Sequence, residues 1–234
     1  MHLSFCLFAS NDAESEQLSF SFDTILHNFP YLLAAARWTL LISLSGMAIS
    51  LVWGIFLCAG RMSKGHLLSN VAALYISFFR GVPLLVQLLM FYYMLPYIGI
   101  DLPAVQAAIL AVGMCSAAYT AEILRGALMA IPAGQSEAAH ALGMSSLSLW
   151  KRILVPQAIR ISMPSLVNEL ILLVKVSSLA SVVGIGELTR ISQNIAGETY
   201  RPLEIYLAAA VIYFVINWIL SIGGRLIERK LQVG

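Results

Sequence analysis

Long runs of apolar residues make up most of the chain, and short polar segments separate them. A transmembrane helix needs ~20 predominantly apolar residues in succession. The runs that meet this requirement cover residues 37–60, 81–99, 104–131, 160–184 and 204–226. Because lipid cannot satisfy backbone hydrogen bonds, runs of this length predict helices rather than open sheets or irregular loops. We therefore predict an all-α, polytopic membrane helical bundle of about five transmembrane helices.

The amino-acid composition supports the same class of protein. Hydrophobic residues account for 59% of the chain and charged residues for 11%, and the mean hydropathy is +0.84. Soluble domains are roughly 45–50% apolar and about 25% charged. The net charge of +2 is too small to indicate binding of nucleic acid. We expect a protein surrounded by membrane lipid, with no nucleic-acid partner.

The N-terminal segment differs in charge from the rest of the chain. Residues 1–30 contain four acidic residues and neither Lys nor Arg. We interpret them as an external N-terminal tail. Residues 31–230 then form a single transmembrane domain that includes a cytoplasmic loop over residues 132–157.

The positions of Lys and Arg outside the apolar runs predict the orientation of the helices. The loop over 61–80, the loop over 132–159 and the C-terminal tail are basic, whereas the loop around Asp101 has no base. The loop over 185–203 has charges of both signs. Cytoplasmic loops of membrane proteins are enriched in Lys and Arg. This pattern places the N-terminus outside and the C-terminus in the cytoplasm, in a multi-pass membrane protein.

Two features inside the apolar runs predict contacts between side chains. Small residues recur at four-residue steps in the first run, at Gly46, Ser50, Gly54 and Cys58. Such a stripe allows another helix to approach closely. In the third run, Glu122 and Arg125 are three residues apart and can form an ion pair on one helix face.

Polar and ionisable residues in the fourth run are candidates for a translocation path, because such residues are costly in lipid and often functional. At 100° per residue, Asn168, Lys175 and Ser178 lie within about a quarter turn of one helix face, and Glu169 lies about 100° away. The candidate path residues are Asn168, Glu169, Lys175, Ser177 and Ser178. For Lys175, a place on the path and a structural ion pair or snorkelling side chain are both open interpretations.

The loop over 132–157 has the signals of two short helices separated by a stop. Pro132 suits the first turn of a helix, and Gly143 suits the position just past a helix end. Ser145 or the serine after it can cap a second helix, and Pro156 breaks or kinks the structure that follows. The first helix exposes small alanines beside one carboxylate, so another protein could approach its backbone closely. These residues alone leave a docking element and a connecting loop as alternatives.

The same loop resembles the EAA motif of the permease subunits of ATP-binding cassette (ABC) importers. The motif reads E-A-A, three residues, G, nine residues and I-x-L-P, and the matching residues are Glu137, Ala138, Ala139, Gly143, Ile153 and Pro156. Val155 stands where the pattern usually has Leu, a mild change at a packing position. Residues 78–96, 117–128 and 175–189 are also similar to the polar amino acid uptake class of these permeases.

The resemblance implies partners and roles for this chain. It implies that Glu137, Ala138, Ala139 and Gly143 form a coupling helix that sits in a groove of an ATP-binding subunit. The implied partners are a second permease subunit, identical or a sister, two cytoplasmic ATP-binding subunits and an external solute-binding protein. The implied function is the transport of polar amino acids or related solutes into the cytoplasm by alternating access. Because the partner subunits bind ATP, the chain itself is expected to need no cofactor.

One departure from the permease pattern concerns substrate recognition. Permeases similar to this chain usually have Asp or Asn and then Thr or Ser after the lysine, whereas Lys175 is followed here by Val176. The substitution removes a polar group from the fourth run. The sequence therefore leaves open which solute is transported.

The chain has no pattern typical of an enzyme or a metal site. Residues 60–67 have the two glycines of a phosphate-binding loop, but His66 and Leu67 replace its Lys and its Ser or Thr. The four histidines lack metal-ligand spacing, so we expect neither catalytic residues nor a bound metal. The alternative function is an ion-coupled secondary transporter of small polar solutes. Such a transporter should show inverted repeats with broken helices, and the sequence pattern indicates neither.

Overall fold

The computed structural model describes residues 20–233, and this part of the chain is helical, without strands. Its α-helices are α1 (Phe22–Arg61), α2 (His66–Gly81), α3 (Leu84–Met94), α4 (Ala104–Met129), α5 (Ala133–Ala141), α6 (Ser146–Leu149), α7 (Val155–Val176), α8 (Leu188–Thr199) and α9 (Pro202–Val233). Short 3₁₀ helices cover Leu95–Ile98 and Ser177–Val183, and a π-helical turn covers Trp150–Leu154. The predicted all-α fold class is confirmed.

Most of the predicted spans are continuous helices. Four helical stretches are long and apolar enough to cross a membrane: Phe22–Arg61, Ala104–Met129, Ser146–Val183 and Pro202–Lys230. The helices His66–Gly81 and Leu84–Ile98 pass the same test as a pair and are bent by 105° where they join, and counted as one broken span they make a fifth. Within the described residues, the prediction of about five spans is therefore confirmed in number.

The predicted span over 81–99 and the predicted loop over 61–80 are both wrong in detail. Residues 66–81 form helix α2, which buries Ala72, Ile76 and Phe79. Of the three basic residues in the predicted loop, Arg61 ends α1, Lys64 lies in the turn before α2, and Arg80 lies in the last turn of α2. The apolar run after residue 81 is the second half of a span that begins earlier.

The bend between α2 and α3 comes from Val82 and Pro83. Proline has no backbone N–H, and its ring disfavours helical geometry in the residue before it. Val82 accordingly has extended backbone angles, with φ −100° and ψ 134°. The side chain of buried Gln87 forms hydrogen bonds to two backbone carbonyl groups at the bend. Its Nε2 donates to the carbonyl oxygens of Phe79 and Val82, both at 2.8 Å. One amide side chain therefore stabilises the broken span.

Helix α1 begins earlier than the first apolar run predicts. The hydroxyl of Ser21 accepts a hydrogen bond from the N–H of Thr24 at 3.3 Å and caps the first turn. The helix then continues for 40 residues, through Pro30, to Arg61. The predicted boundary of the external tail at residue 30 therefore falls inside a helix. Residues 1–19, most of the predicted tail, lie outside the described part of the chain.

Helices α1 and α4 pack against each other through small residues. A Cβ at Gly46 would lie 2.9 Å from Cγ1 of Val112, and one at Gly54 would lie 2.7 Å from Cγ2 of Thr120. Both distances are shorter than side chains tolerate, so glycine permits this close approach. Between the glycines, Oγ of Ser50 lies 2.6 Å from Oγ1 of Thr120. The predicted small-residue stripe is confirmed as a packing surface.

An amphipathic helix, α8, takes the place of the predicted loop over 185–203. Glu187 caps this helix, because its Oε1 accepts from the N–H of Arg190 at 2.7 Å and its Oε2 from the N–H of Thr189 at 2.9 Å. The hydroxyl of Tyr213, on α9, donates to Oε2 at 3.2 Å. The buried carboxyl group of Glu187 therefore joins the start of α8 to α9.

We expect Glu187→Ala to lower the free energy of unfolding by about 1–2 kcal/mol, because it removes a helix cap and leaves buried donors unpaired. Burial raises the pKa of the Glu187 carboxyl above its ordinary value of 4.5. A raised pKa in the folded protein means that folding favours the neutral form. The stability from this preference is present below pH 4.5 and is lost as pH rises through the folded pKa.

Thermal unfolding of the detergent-solubilised protein at several pH values measures both effects. Glu187→Gln is the matched control, because it keeps a neutral acceptor at the cap and should show a smaller loss and a weaker dependence on pH. An alanine variant as stable as the wild type at every pH would show that the cap contributes nothing.

Candidate functional site

A cavity of about 330 Å³ lies where the bend of the second span meets α4 and α7. The backbone of residues 81–83 forms one wall, and apolar side chains form most of the others. The polar side chains in the lining are those of Arg80, Ser116, Tyr119 and Glu169. A mostly apolar cavity therefore brings four polar side chains together among membrane-spanning segments.

Glu169 contributes the carboxyl group of this cavity. The residue is 7% exposed, and Oγ of Ser116 donates to its Oε1 at 2.6 Å. Ser116 in turn lies 3.0 Å, Oγ to Oγ, from Ser50 on α1. Among residues 20–233, Ser116 provides the hydrogen bond to this carboxyl group, which leaves acceptor sites on its oxygens for a ligand.

The opposite charge in the cavity comes from Arg80, at the end of α2. Its guanidinium carbon lies 5.5 Å from the centroid of the Tyr119 ring, within the range of a cation–π interaction. Leu84, the first residue of α3, also lines the cavity. A helix N-terminus has unpaired N–H groups and a partial positive charge, so this edge attracts anions. The cavity thus combines an acidic group with a cationic edge.

The structure separates the candidate path residues that share the fourth run. Glu169 lines the cavity, whereas Asn168 and Lys175 are exposed on the surface of the single chain. Oγ of Ser177 donates to the Val174 carbonyl at 2.9 Å. Oγ of Ser178 donates to the Lys175 carbonyl at 2.7 Å. The two serines therefore bond to the backbone of their own helix, and the role of all five residues in transport stays a prediction.

Sequence reasoning missed Arg80, Ser116 and Tyr119 as cavity residues. The prediction that the chain has no broken helix is wrong for the second span. The signal was present, because Gly81, Val82 and Pro83 interrupt an apolar run, and interrupted runs often mark binding sites in transporters. The predicted ion pair of Glu122 and Arg125 is confirmed, with Oε2 and Nη2 at 2.7 Å.

The predicted helix, stop and helix of the loop over 132–157 are confirmed. Helix α5 ends in a Schellman motif, in which Gly143 has φ +72° and the N–H of Met144 bonds to the Ala139 carbonyl at 3.0 Å. The hydroxyl of Ser145 caps α6 by accepting from the N–H of Ser148 at 3.4 Å. On the surface of α5, Glu137 and Ala138 are exposed, whereas Ala139 is 2% exposed.

The loop is connected to the helix that carries Glu169. Nε2 of Gln157, in the first turns of α7, donates to Oε1 of Gln135, on α5, at 2.5 Å. Of the two predicted effects of Pro156, a break or a kink, the break does not occur, because α6, the π turn over Trp150–Leu154 and α7 follow one another without a gap. A side-chain hydrogen bond and one continuous helical stretch therefore connect α5 and α6 to the helix that carries Glu169.

The fold and the cavity define a polytopic transport subunit, and comparison with known proteins gives its family. Residues 46–233 match the family described as the binding-protein-dependent transport system inner membrane component. The probable amino-acid ABC transporter permease protein YckA of Bacillus subtilis is 42% identical over 218 residues, which cover 92% of this chain and 96% of the relative. The chain therefore belongs to the binding-protein-dependent ABC permease family.

Two further comparisons agree with this assignment. The glutamine transport system permease protein GlnP of Escherichia coli is 37% identical and covers 92% of this chain, with 100% of GlnP matched. A crystal structure of an amino acid ABC transporter with histidines superposes with a TM-score of 0.84 at 36% identity, covering 91% of this chain and 99% of that one. Membership of a transporter permease family agrees with a transport role rather than an enzymatic one.

Proposed function

We propose that this chain is the permease subunit of an ABC importer that passes polar amino acids or related solutes into the cytoplasm. The observation that carries the proposal is the cavity beside the broken span, where Glu169 and Arg80 line one space. Its volume of about 330 Å³ is that of a small-molecule site, for which the usual range is about 300–1,000 Å³. The amino-acid transport named for the relatives supports the same substrate class.

The charges in the cavity suit an α-amino acid. Its ammonium group would bond to Glu169, and its carboxylate would lie against Arg80 and the N-terminus of α3. Charge-assisted hydrogen bonds at both ends would favour a zwitterion over a solute with only one charge. The apolar walls formed by α4 and α7 would contact the side chain of the solute.

Transport would proceed by alternating access coupled to ATP hydrolysis in partner subunits. In this proposal, Glu137, Ala138, Ala139 and Gly143 place α5 in a groove of an ATP-binding subunit. The exposed side chains of Glu137 and Ala138 and the link from Gln135 to Gln157 support this role. Closure of the ATP-binding subunits would move α5, and α7 would carry the movement to Glu169.

The assembly would contain a second permease subunit, identical or a sister, with two ATP-binding subunits in the cytoplasm and a solute-binding protein outside. The chain would lie in the cell inner membrane, with its N-terminus outside and its C-terminus in the cytoplasm. The basic turn before α2 and the loop over 132–157 support this orientation.

The orientation is tested by labelling single cysteines in intact cells, in a chain that lacks its native cysteines. Cysteines at the exposed positions Asp101 and Asn194 should react with an impermeant reagent, whereas those at Lys64 and His140 should react only after lysis. Reaction at residue 140 from outside would place the loop over 132–157 on the external side of the membrane, away from the ATP-binding subunits. That result would overturn the proposal.

A further inference from the structure

A second cavity, of about 410 Å³, lies between α1, α4 and the helical stretch that leads into α7. We call it the π-turn groove, because Trp150, the first residue of the π turn, forms one wall. Ile55 and Ala59 of α1, Leu124 of α4 and Ala158 of α7 form the others. The lining is apolar, and this groove is separate from the cavity that holds Glu169.

Two features of the sequence produce the π-turn groove. Small side chains stand where the helices face one another, at Ala59 and Ala158. The π turn adds a residue to the helical turn just before α7, and such turns are frequent at functional sites. Trp150 is 41% exposed and Ile159 is 43% exposed, so large apolar side chains stay uncovered at this groove.

Basic residues flank the groove in the chain. Arg61 precedes the lining residue Met62, and Lys151 and Arg152 follow Trp150. Lys151 and Arg152 are exposed, and between residues 132 and 168 Glu137 is the one acidic residue. The carboxylate nearest in the chain to the α4 wall, Glu122, is already paired with Arg125. The groove therefore has an apolar interior, and the residues next to its lining in the chain carry a surplus of positive charge.

We propose that the π-turn groove binds an acyl chain of an anionic phospholipid whose headgroup phosphate lies against Lys151 and Arg152. Basic pockets between transmembrane helices on the cytoplasmic side bind anionic headgroups, and an apolar interior suits an acyl chain. Because the π turn joins α6 to α7, the bound lipid also stiffens this connection. It thereby supports the coupling of ATP hydrolysis to transport. This last consequence and the cytoplasmic position of the headgroup rest on the proposed function, whereas binding of the acyl chain in the groove does not.

The chain offers a matched control for the lipid site. A cavity of the same volume, about 410 Å³, lies closer to the N-terminus of α1 than the π-turn groove does. It is lined by Ala48, Ile49, Val52, Trp53 and Met114. Its lining is also apolar, but no Lys or Arg stands between residues 38 and 60. This control groove should hold lipid without selecting an anionic headgroup.

The test measures lipid retained by the purified, assembled transporter with native mass spectrometry. Ala59→Trp fills the π-turn groove and should reduce retained phosphatidylglycerol about ten-fold, whereas Ala48→Trp, which fills the control groove, should leave it unchanged. The double variant Lys151→Gln and Arg152→Gln should remove the preference for phosphatidylglycerol over phosphatidylcholine. In wild type, photoactivatable phosphatidylglycerol should crosslink to peptides covering residues 55–62 and 150–159, which tests the site even where a variant fails to assemble.

Three results would overturn the proposal. Retention of phosphatidylglycerol by Ala59→Trp at the wild-type level would exclude the groove as its site. Crosslinks of photoactivatable lipid confined to other peptides would do the same. Efficient disulfide formation between Ile55→Cys of two subunits would show that a second copy of the chain covers the groove. If wild type transports no amino acid in any lipid, the proposed function fails, but the retention measurement still decides the lipid site.

Discussion

Replacement of Gly143 by Asp is expected to abolish solute uptake and the stimulation of ATP hydrolysis by loaded binding protein, while membrane insertion and assembly stay unchanged. Gly143 has φ +72°, a conformation that costs a residue with a Cβ about 1 kcal/mol or more. A Cβ at this position would meet no atom of the chain within 4 Å. Strain in the turn is therefore modest, and in the proposed assembly the larger part of the expected effect is a collision with the ATP-binding subunit.

Matched variants separate these causes. Gly143→Asn has the size of Asp without its charge and tolerates positive φ, so loss of activity in both variants indicates a steric collision. Gly134→Asp adds the same charge to α5 at an open position where φ is not positive, and it should retain most activity. Glu137→Lys should reduce coupling more weakly, because an exposed contact at an interface rim contributes little. Wild-type uptake by an assembled Gly143→Asp complex would show that the loop is only a connector.

Replacement of Glu169 by Gln is expected to raise the KM for uptake about 30-fold or more. Loss of one partner of a buried charged contact costs about 2 kcal/mol or more, and each factor of ten corresponds to about 1.4 kcal/mol. Gln has nearly the same size and can still accept the hydrogen bond from Ser116. Assembly and stability should therefore be close to wild type, and the loss should be specific to the solute.

Lys175→Met is the comparison for this variant. The side chain of Lys175 is exposed on the chain surface and does not line the cavity, so its replacement should affect uptake much less than Glu169→Gln does. Uptake of radiolabelled amino acid by reconstituted complexes gives both KM values. A large loss in the Lys175 variant together with normal uptake in the Glu169 variant would move the path to the other face of α7.

The sequence predicts four of the spans and the helix, stop and helix of the loop over 132–157, because these depend on local signals. Apolar length marks α1, α4, α7 and α9, and the capping residues Gly143 and Ser145 determine the loop through their own backbone geometry. The bend at Pro83 was missed because the apolar run continues through it. The structure shows that the side-chain amide of Gln87, on the next helix, donates hydrogen bonds to the backbone carbonyl groups at this bend.

The choice of helix face could not be predicted from periodicity. The pattern in the fourth run favours a polar face with Asn168 and Lys175, yet both residues are exposed, whereas Glu169, about a quarter turn away, is buried. The buried carboxyl group is bonded by Ser116 of α4, a residue more than fifty positions earlier in the chain, and such a distant partner leaves no signal in the local pattern. Helix α8 was missed for a simpler reason, because its amphipathic pattern is too short and too polar for a membrane span.

The proposed role as the permease of an ATP-driven importer is tested by amino-acid uptake into vesicles that contain the purified permease with its ATP-binding subunits. Solute-binding protein is supplied on one side and ATP on the other, and the accumulation of radiolabelled amino acid is followed over time. We expect accumulation only when both ATP and binding protein are present. An imposed ion gradient should not substitute for ATP. Accumulation driven by a proton or sodium gradient, without ATP or binding protein, would contradict it and favour an ion-coupled transporter.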